Sequence, residues 1–204
     1  MLEIIDKNNI IPRLSPEETH ILELGCGDRK RLPNSIGVDQ INYQCVDIVG
    51  DVFAVLSQIP DQSISAVYSN HFFEHVDNLS LLVDELARII KPEGQLNVTV
   101  PHFSNPYFYS DATHRTFFGL YTFCYFAKNN LLQRKTPTYN RDIQFELSDV
   151  RLGFKSAPPF YVRHGIKLLL EQVFNLNTYM KEFYEENLCY LFPCYEVKYS
   201  LKRL

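Results

Sequence analysis

The chain has 204 residues, 46% of them hydrophobic and 22% charged, a composition typical of one folded domain with a substantial core. Its formal net charge of −4 gives no general attraction to nucleic acid or to an anionic membrane, and no stretch approaches the run of about 20 apolar residues that spans a bilayer. The N-terminus lacks a signal-peptide pattern and the five cysteines include no Cys-x-x-Cys pair, so we expect a cytoplasmic protein without a disulfide framework or a zinc site.

The first half of the chain alternates strand-like and helix-like segments after a leader, residues 1–20, that we expect to pack against the core. Strands are predicted at 20–24, 36–39, 46–52, 65–69 and 95–101, and an amphipathic helix at 79–90, with Asp77 or Asn78 as its N-cap. Only residues 28–35 separate the first two strands, and Pro33 interrupts them, so the first crossover is predicted to be a short loop. This order predicts a parallel sheet with right-handed crossovers.

Aromatic residues dominate the next segment, 102–126. It is interpreted as a lid over the carboxyl edge of the sheet or, alternatively, as a second layer of core. Beyond it we predict a loop at 127–142, a strand at 145–155, helical structure at 166–191 and a closing strand at 195–201. The expected organisation is a single domain over 1–204, with a core of 20–101 and 143–204 and an insertion at about 102–142.

The ends of the first two strands carry the residues that point to a ligand. Gly25 and Gly27 follow the first strand and permit both a sharp turn and a close approach of a ligand to the backbone. Asp39 ends the next strand, where a carboxylate can accept hydrogen bonds from both hydroxyls of a ribose. Asp51, after the third strand, either accepts from a purine amino group or caps the helical turn 53–56, and one residue can do both. The missing helix after Gly27 argues against a nicotinamide-dependent oxidoreductase.

Taken together, these motifs resemble the class I S-adenosylmethionine-dependent methyltransferases, in their small bacterial and archaeal type-11-like branch. The matching stretches cover residues 20–126 in the family's order: ILELGCG, IGVDQ, GDV, SAVYSNHFFEHVDN, LLVDELARIIKPEGQLNVTVPHFS and DATHRTFF. The resemblance implies an α/β fold with a Rossmann-like, seven-stranded, mostly parallel sheet. It also implies an antiparallel last strand, an abbreviated first crossover and an aromatic-rich lid insertion.

The resemblance assigns contacts to the cofactor, S-adenosylmethionine, whose product form is S-adenosylhomocysteine. The turn Glu23, Gly25, Cys26 and Gly27 would hold the methionine part, with Glu23 reaching the ammonium group directly or through water. Asp39 would accept from the ribose hydroxyls, and Gln40 beside it would add a ribose contact. The other implied contacts are Asp51 and Val52 to adenine, and Asn70 and His71 near the sulfonium and the methionine.

Removal of a proton from an acceptor hydroxyl calls for a general base, and histidine titrates in the appropriate range. The candidate catalytic residues are His71, His102 and His114. His75 is interpreted instead as a structural histidine with satisfied hydrogen bonds. Although His71 and His75 are four residues apart, the HExxH order is absent, so no metal site is expected.

Acceptor binding is predicted in the aromatic segment. The Asp-x-Thr-His-Arg pattern resembles the family, and we favour acceptor contacts for Asp111, His114 and Arg115; the other interpretation is that they tie down a loop. Tyr107 can hydrogen-bond a hydroxyl of the acceptor. The predicted function is methyl transfer to a small molecule, such as a sugar or a nucleotide-linked precursor. The alternative is a non-catalytic cofactor-binding or partner subunit.

Overall fold

The structure, a computed structural model, describes residues 4–129, 131–137, 139 and 142–204. Its strands are β1 (Ile5–Asp6), β2 (Ile21–Leu24), β3 (Ile36–Asp39), β4 (Ile48–Val49), β5 (Ile64–Asn70), β6 (Ile90–Pro101), β7 (Phe145–Gly153) and β8 (Glu196–Arg203). Its α-helices are α1 (Val52–Leu56), α2 (Leu79–Ile89), α3 (Tyr161–Phe174) and α4 (Thr178–Asn187). Within the described ranges, no helix is both long enough and apolar enough to cross a membrane.

The strands form one sheet in the order β1-β4-β3-β2-β5-β6-β8-β7. Strand β2 runs parallel to both of its neighbours, with Leu22 opposite Ile36 of β3 and Val67 of β5. Strand β3 is also parallel to β4, and the C-terminal strands are antiparallel. This is the mostly parallel, Rossmann-like α/β sheet that the sequence predicts.

The sheet has eight strands where seven were predicted. The additional strand is β1, which the leader contributes and which pairs antiparallel with β4, Ile5 lying opposite Val49. The Lys7 backbone N–H donates to the Asp47 carbonyl, at 3.0 Å, just beyond this pair. The leader was expected to pack against the core but not to form a strand, because two residues are too few to show alternation. Residues 1–3 of the leader lie outside the described part.

The described chain divides into two compact units. One comprises the residues up to Phe73, Asn78–Val98 and Lys202–Leu204. Within it β2 is buried on both faces, since Leu22 and Leu24 have no exposed surface, as expected for a central parallel strand. Helix α2 buries one face and begins at Asn78, whose side chain accepts from the Leu81 N–H at 3.0 Å. Of the two predicted caps, Asn78 is therefore the one used.

Two predicted boundaries in this unit differ from the structure. The strand predicted at 46–52 is reduced to Ile48–Val49, because Asp51 already caps α1. The strand predicted at 95–101 begins earlier, because β6 starts at Ile90, directly after α2. Within β6 the chain changes direction at Glu93, whose φ of 68° lies in the left-handed region of backbone conformation.

The other unit comprises Glu74–Asp77 and Thr99–Leu201. The helical pattern predicted at 166–191 becomes two helices, α3 and α4, and Asn177 caps the second by accepting from the Met180 N–H at 2.9 Å. The aromatic segment is divided between two environments: Phe118 and Phe123 are fully buried, whereas Tyr109 is 63% exposed. Of the loop predicted at 127–142, positions 130, 138, 140 and 141 lie outside the described residues.

Candidate functional site

The turn after β2 places two glycines in the left-handed region of backbone conformation. Gly25 has a φ of 67° and Gly27 a φ of 60°, values that favour glycine over any other residue. A β-carbon added to Gly25 would lie 2.5 Å from Cβ of Phe72, so this position has no room for a side chain. Among the described residues, a β-carbon added to Gly27 would meet no atom within 4 Å. The turn is thus closed on the Phe72 side and open beside Gly27, where a ligand can reach the backbone.

Asp39 joins the end of β3 to this turn. One carboxylate oxygen accepts from the Gly27 N–H at 2.9 Å, and the other accepts from the Ile41 N–H, also at 2.9 Å. An ionised carboxylate offers about four acceptor positions, so each oxygen retains the capacity for a further donor. Asp39 can therefore hold the glycine turn and accept from two hydroxyls of a ligand at the same time.

Glu23 makes hydrogen bonds within the protein that the sequence did not predict. Its side chain is buried and accepts from the Arg31 N–H at 2.9 Å, the Leu32 N–H at 3.2 Å and the Ser35 hydroxyl at 2.9 Å. These bonds fix the abbreviated crossover that stands in place of a helix. Without the repeating hydrogen bonds of a helix, such a loop needs acceptors from elsewhere, and the buried carboxylate supplies them.

Two further residues of the turn region complete its structure. Asp47, which the sequence analysis did not single out, accepts from the Gly37 N–H at 2.8 Å and from the Lys30 ammonium group. The pKa of the Cys26 thiol is raised to about 12, mainly by burial and to a smaller extent by the nearby Asp39 carboxylate. Cys26 is therefore a neutral thiol at physiological pH and packs as a small apolar residue rather than reacting as a nucleophile.

The other predicted cofactor residues follow the carboxyl ends of neighbouring strands or lie close to them. In the register of the sheet, Leu24 of β2 lies opposite both Val38 of β3 and Ser69 of β5. Gly25, Asp39 and Asn70 follow these three positions directly, so they share one edge of the sheet, the edge at which open α/β sheets bind ligands. The remaining predicted residues are exposed Gln40, exposed Asp51 as the N-cap of α1, Val52 in its first turn, and half-buried His71, whose φ is 54°.

His102 lies in a closed environment within the second unit. Its side chain has no exposed surface, and its Nδ1 accepts from the Ser104 N–H at 3.1 Å. Its Nε2 is 3.0 Å from a carboxylate oxygen of Glu185, to which it donates. Both ring nitrogens are therefore occupied, and the imidazole links the segment after β6 to helix α4.

The predicted acceptor residues lie in the same unit. Asp111 accepts from both the hydroxyl and the N–H of Thr113, at 2.6 and 2.8 Å, and the hydroxyl bond is the larger cause that lowers the pKa of this carboxyl group. The His114 and His75 rings stand 4.8 Å apart between centroids. Arg115 and Tyr107 are largely exposed, and the Arg115 guanidinium is 3.6 Å from Asp77. The sequence named His114 as a candidate residue, but its proximity to His75 could not be read from residues 39 positions apart.

Residues 29–98 match a family model described as a methyltransferase domain. The matched segment begins just after the glycine turn and includes Asp39, Asp51 and Asn70. A search of curated protein sequences finds no match to this chain.

Solved structures share the fold, and two of the three described below are methyltransferases. A structure of a SAM-dependent methyltransferase from Archaeoglobus fulgidus is 19% identical, with a TM-score of 0.58 over 95% of this chain and 89% of that one. The phosphoethanolamine N-methyltransferase 2 of Haemonchus contortus, in complex with S-adenosyl-L-methionine, is 16% identical, with a TM-score of 0.51 over 95% of this chain, which spans about half (51%) of that one. The YcgJ protein of Bacillus subtilis is 15% identical, with a TM-score of 0.50 over 95% of each chain. Residues 29–98 thus match a methyltransferase domain, and the chain shares the fold of solved S-adenosylmethionine-dependent methyltransferases.

Proposed function

We propose that the chain transfers a methyl group from S-adenosylmethionine to a small-molecule acceptor, and that the edge of the sheet at Gly25, Asp39 and Asn70 binds the cofactor. The observation that carries this proposal is the pairing of Asp39 with the open side of Gly27. The carboxylate already bonds the Gly27 N–H, and the backbone beside it has space that no atom of the described residues fills. A nucleoside fits such a site, since its ribose hydroxyls are donors and the rest of the ligand can lie along the glycine turn.

The residues at this edge have separate parts in holding the cofactor. Asp39 accepts from the ribose hydroxyls, with Gln40 alongside, and Gly25 and Gly27 leave room for the methionine part. Asp51 and Val52 face the adenine, while Asn70 and His71 contact the methionine end near the sulfonium. When bound, S-adenosylmethionine supplies an electrophilic methyl group on a positively charged sulfur. The protein's contribution is alignment, because a well-placed acceptor needs little further activation.

Glu23 has a supporting part in this proposal. Its carboxylate holds residues 31–35, the loop that follows the glycine turn, and so maintains the open shape beside Gly27. A hydrogen bond from Glu23 to the methionine ammonium group, which the family resemblance implies, remains a prediction.

For the acceptor we propose a small molecule bound by Tyr107, Asp111, His114 and Arg115. The net charge of −4 disfavours a nucleic-acid acceptor, whose phosphates call for a basic surface. His71 and His114 are the candidate bases, because His102 is buried with both nitrogens engaged. Incubation with methyl-labelled cofactor and a panel of small hydroxyl and amine compounds tests this assignment, with RNA as the contrasting acceptor.

The cofactor site is tested by calorimetric titration with S-adenosylhomocysteine. We expect the wild-type protein to bind, and Asp39→Ala to weaken binding at least tenfold, since hydrogen bonds to a charged group contribute about 1.5–3 kcal/mol each. Asp84→Ala is the matched control, because Asp84 is an exposed carboxylate on α2 and its loss should leave affinity unchanged.

Asp39 also supports the glycine turn, so its removal can affect folding. Asp39→Asn keeps one oxygen acceptor and nearly the same shape, and we expect it to fold and to bind with intermediate affinity. Circular dichroism of all three variants verifies the fold. Absence of binding by folded wild-type protein, or wild-type affinity in both Asp39 variants, would contradict the proposal.

A further inference from the structure

A cluster of three side chains that could act as metal ligands lies wholly within the unit made of Glu74–Asp77 and Thr99–Leu201. Glu74, His75 and His114 each offer one ligand atom, and these three atoms all lie within 4.8 Å of one another. We call these residues the Glu74–His75–His114 cluster. Glu74 is 1% exposed, so its carboxylate belongs to the interior of this unit rather than to a solvated acidic surface.

The hydrogen bonds of the two imidazoles determine which ring nitrogen carries the proton. Nδ1 of His114 is 2.9 Å from the Phe108 carbonyl oxygen, which can only accept, so Nδ1 carries hydrogen. Nδ1 of His75 is 2.9 Å from the Thr113 hydroxyl. That hydroxyl donates its single hydrogen to Asp111, at 2.6 Å, and must therefore accept from His75.

Both neutral rings consequently present a lone pair on Nε2. This is the arrangement found in protein metal sites, where a ligating histidine donates its other ring N–H to a carbonyl, a carboxylate or a relay to one. The chain His75–Thr113–Asp111 is such a relay, with the hydroxyl between imidazole and carboxylate. The Asp111 carboxylate also lies 3.7 Å from Nε2 of His114, and it competes for this nitrogen whenever the ring is protonated.

The backbone holds the two parts of the cluster in register. The N–H groups of Arg115 and Thr116 both donate to the Glu74 carbonyl, at 2.7 and 3.1 Å. The Thr116 hydroxyl donates to the Val76 carbonyl at 3.0 Å. Three hydrogen bonds therefore fix residues 115–116 against residues 74–76, and the positions of His75 and His114 follow from this contact.

We propose that the Glu74–His75–His114 cluster binds a divalent transition-metal ion, with zinc as the expected occupant. Two imidazole nitrogens and one carboxylate oxygen are the ligand set of zinc sites that keep an open position. In tetrahedral coordination, ligand atoms about 2.1 Å from the ion lie about 3.4 Å apart, so the longest edge of the cluster, within 4.8 Å, must shorten by up to about 1.4 Å when the ion binds. Imidazole suits zinc, copper, iron and nickel, and the pairing of two imidazoles with one carboxylate favours zinc among them.

The open coordination positions suggest what the ion does. An oxygen or nitrogen of the methyl acceptor can bind there, which would orient it and lower the pKa of a hydroxyl. This role rests on the proposed methyl transfer, with His71 rather than His114 as the candidate base, because Nε2 of His114 then binds the ion. Binding of the ion itself does not rest on the methyl transfer. The site also differs from the sequence expectation, which considered His71 with His75 and had no means of placing His114 beside His75.

The test uses the full chain without an affinity tag, stripped of metal with a chelator and then dialysed. Zinc titration by calorimetry is compared among the wild type, His75→Ala, His114→Ala and His164→Ala. His164 is the matched control, because it is a histidine on α3 whose Nδ1 accepts from the Ser156 N–H, outside the cluster. Glu74→Gln provides a near-isosteric variant in case an alanine variant fails to fold.

We expect one zinc ion per wild-type chain with micromolar or tighter affinity, unchanged in His164→Ala. Affinity should fall at least tenfold in both cluster alanine variants and in Glu74→Gln. Cobalt should give a visible absorption band with the wild type that the cluster variants lose. A wild type that binds no stoichiometric zinc, or cluster variants that bind it as tightly as the wild type, would overturn the proposal. S-adenosylhomocysteine titration of the same samples reports separately on the cofactor site.

Discussion

Gly25 and Gly27 share a left-handed backbone conformation but have opposite surroundings. At Gly25 a β-carbon would meet Phe72 at 2.5 Å and also occupy a strained conformation, so Gly25→Ala should cost about 2–5 kcal/mol of stability. At Gly27 only the strain applies, about 1–2 kcal/mol, because no atom lies near the added carbon. Gly27→Ala should therefore fold but bind S-adenosylhomocysteine less tightly, since its methyl group occupies the open side of the turn.

Urea denaturation of both variants, followed by ligand titration, separates these two effects. Gly165→Ala is the control: Gly165 lies within α3, and a β-carbon there also meets no atom within 4 Å. Because alanine is the better helix former, we expect this change to stabilise the protein by up to about 1 kcal/mol. Equal stability of Gly25→Ala and the wild type would show that the turn is less constrained than the structure indicates.

At the scale of elements, the N-terminus of α2 allows a direct comparison of two adjacent residues. Asn78 accepts from the Leu81 N–H, whereas Asp77 stands outside the helix and makes an exposed contact with Arg115. Asn78→Ala should cost about 1 kcal/mol, the usual value of an N-cap side chain. Asp77→Ala should change stability by less than about 0.5 kcal/mol, since exposed ion pairs contribute little. Thermal denaturation of the two variants measures the difference, and a reversed order would contradict the assignment of the cap.

Periodic elements were predicted well because their signal is local. The apolar spacing of residues 79–90 and the buried run before Gly25 both correspond to observed elements, α2 and β2. The strand at 46–52 was overestimated because Asp51 favours a helix start as strongly as its neighbours favour extension. In the site, the placement of Gly25 and Asp39 at strand ends followed from the pattern of strands. The bonds of Glu23 to residues 31–35, and the approach of His114 to His75, depend on tertiary contacts that no local pattern encodes.

At the scale of the whole molecule, burial keeps several thiols and phenols protonated in the folded state. Burial is the largest cause that raises the pKa of Cys26 to about 12 and that of Cys124 to about 11, from an ordinary value of 9.0. It likewise raises the pKa values of Cys194, Tyr184 and Tyr199 above their usual range. The folded state thus retains protons that the unfolded chain releases above about pH 9.

Because the folded state binds more protons in this range, stability should be fully present below about pH 9 and fall as the pH rises toward the raised pKa values. Each fully shifted group contributes a slope of about 1.4 kcal/mol per pH unit, so several together should produce a steep alkaline loss. Urea denaturation at pH 8, 9 and 10 measures this slope. Cys124→Ala removes one such group, so above pH 9 the free energy of unfolding should fall less steeply with pH, by up to about 1.4 kcal/mol per pH unit. A free energy of unfolding that stays constant or rises between pH 8 and 10 would contradict this account. Such a result would mean that the folded chain releases these protons at least as readily as the unfolded chain.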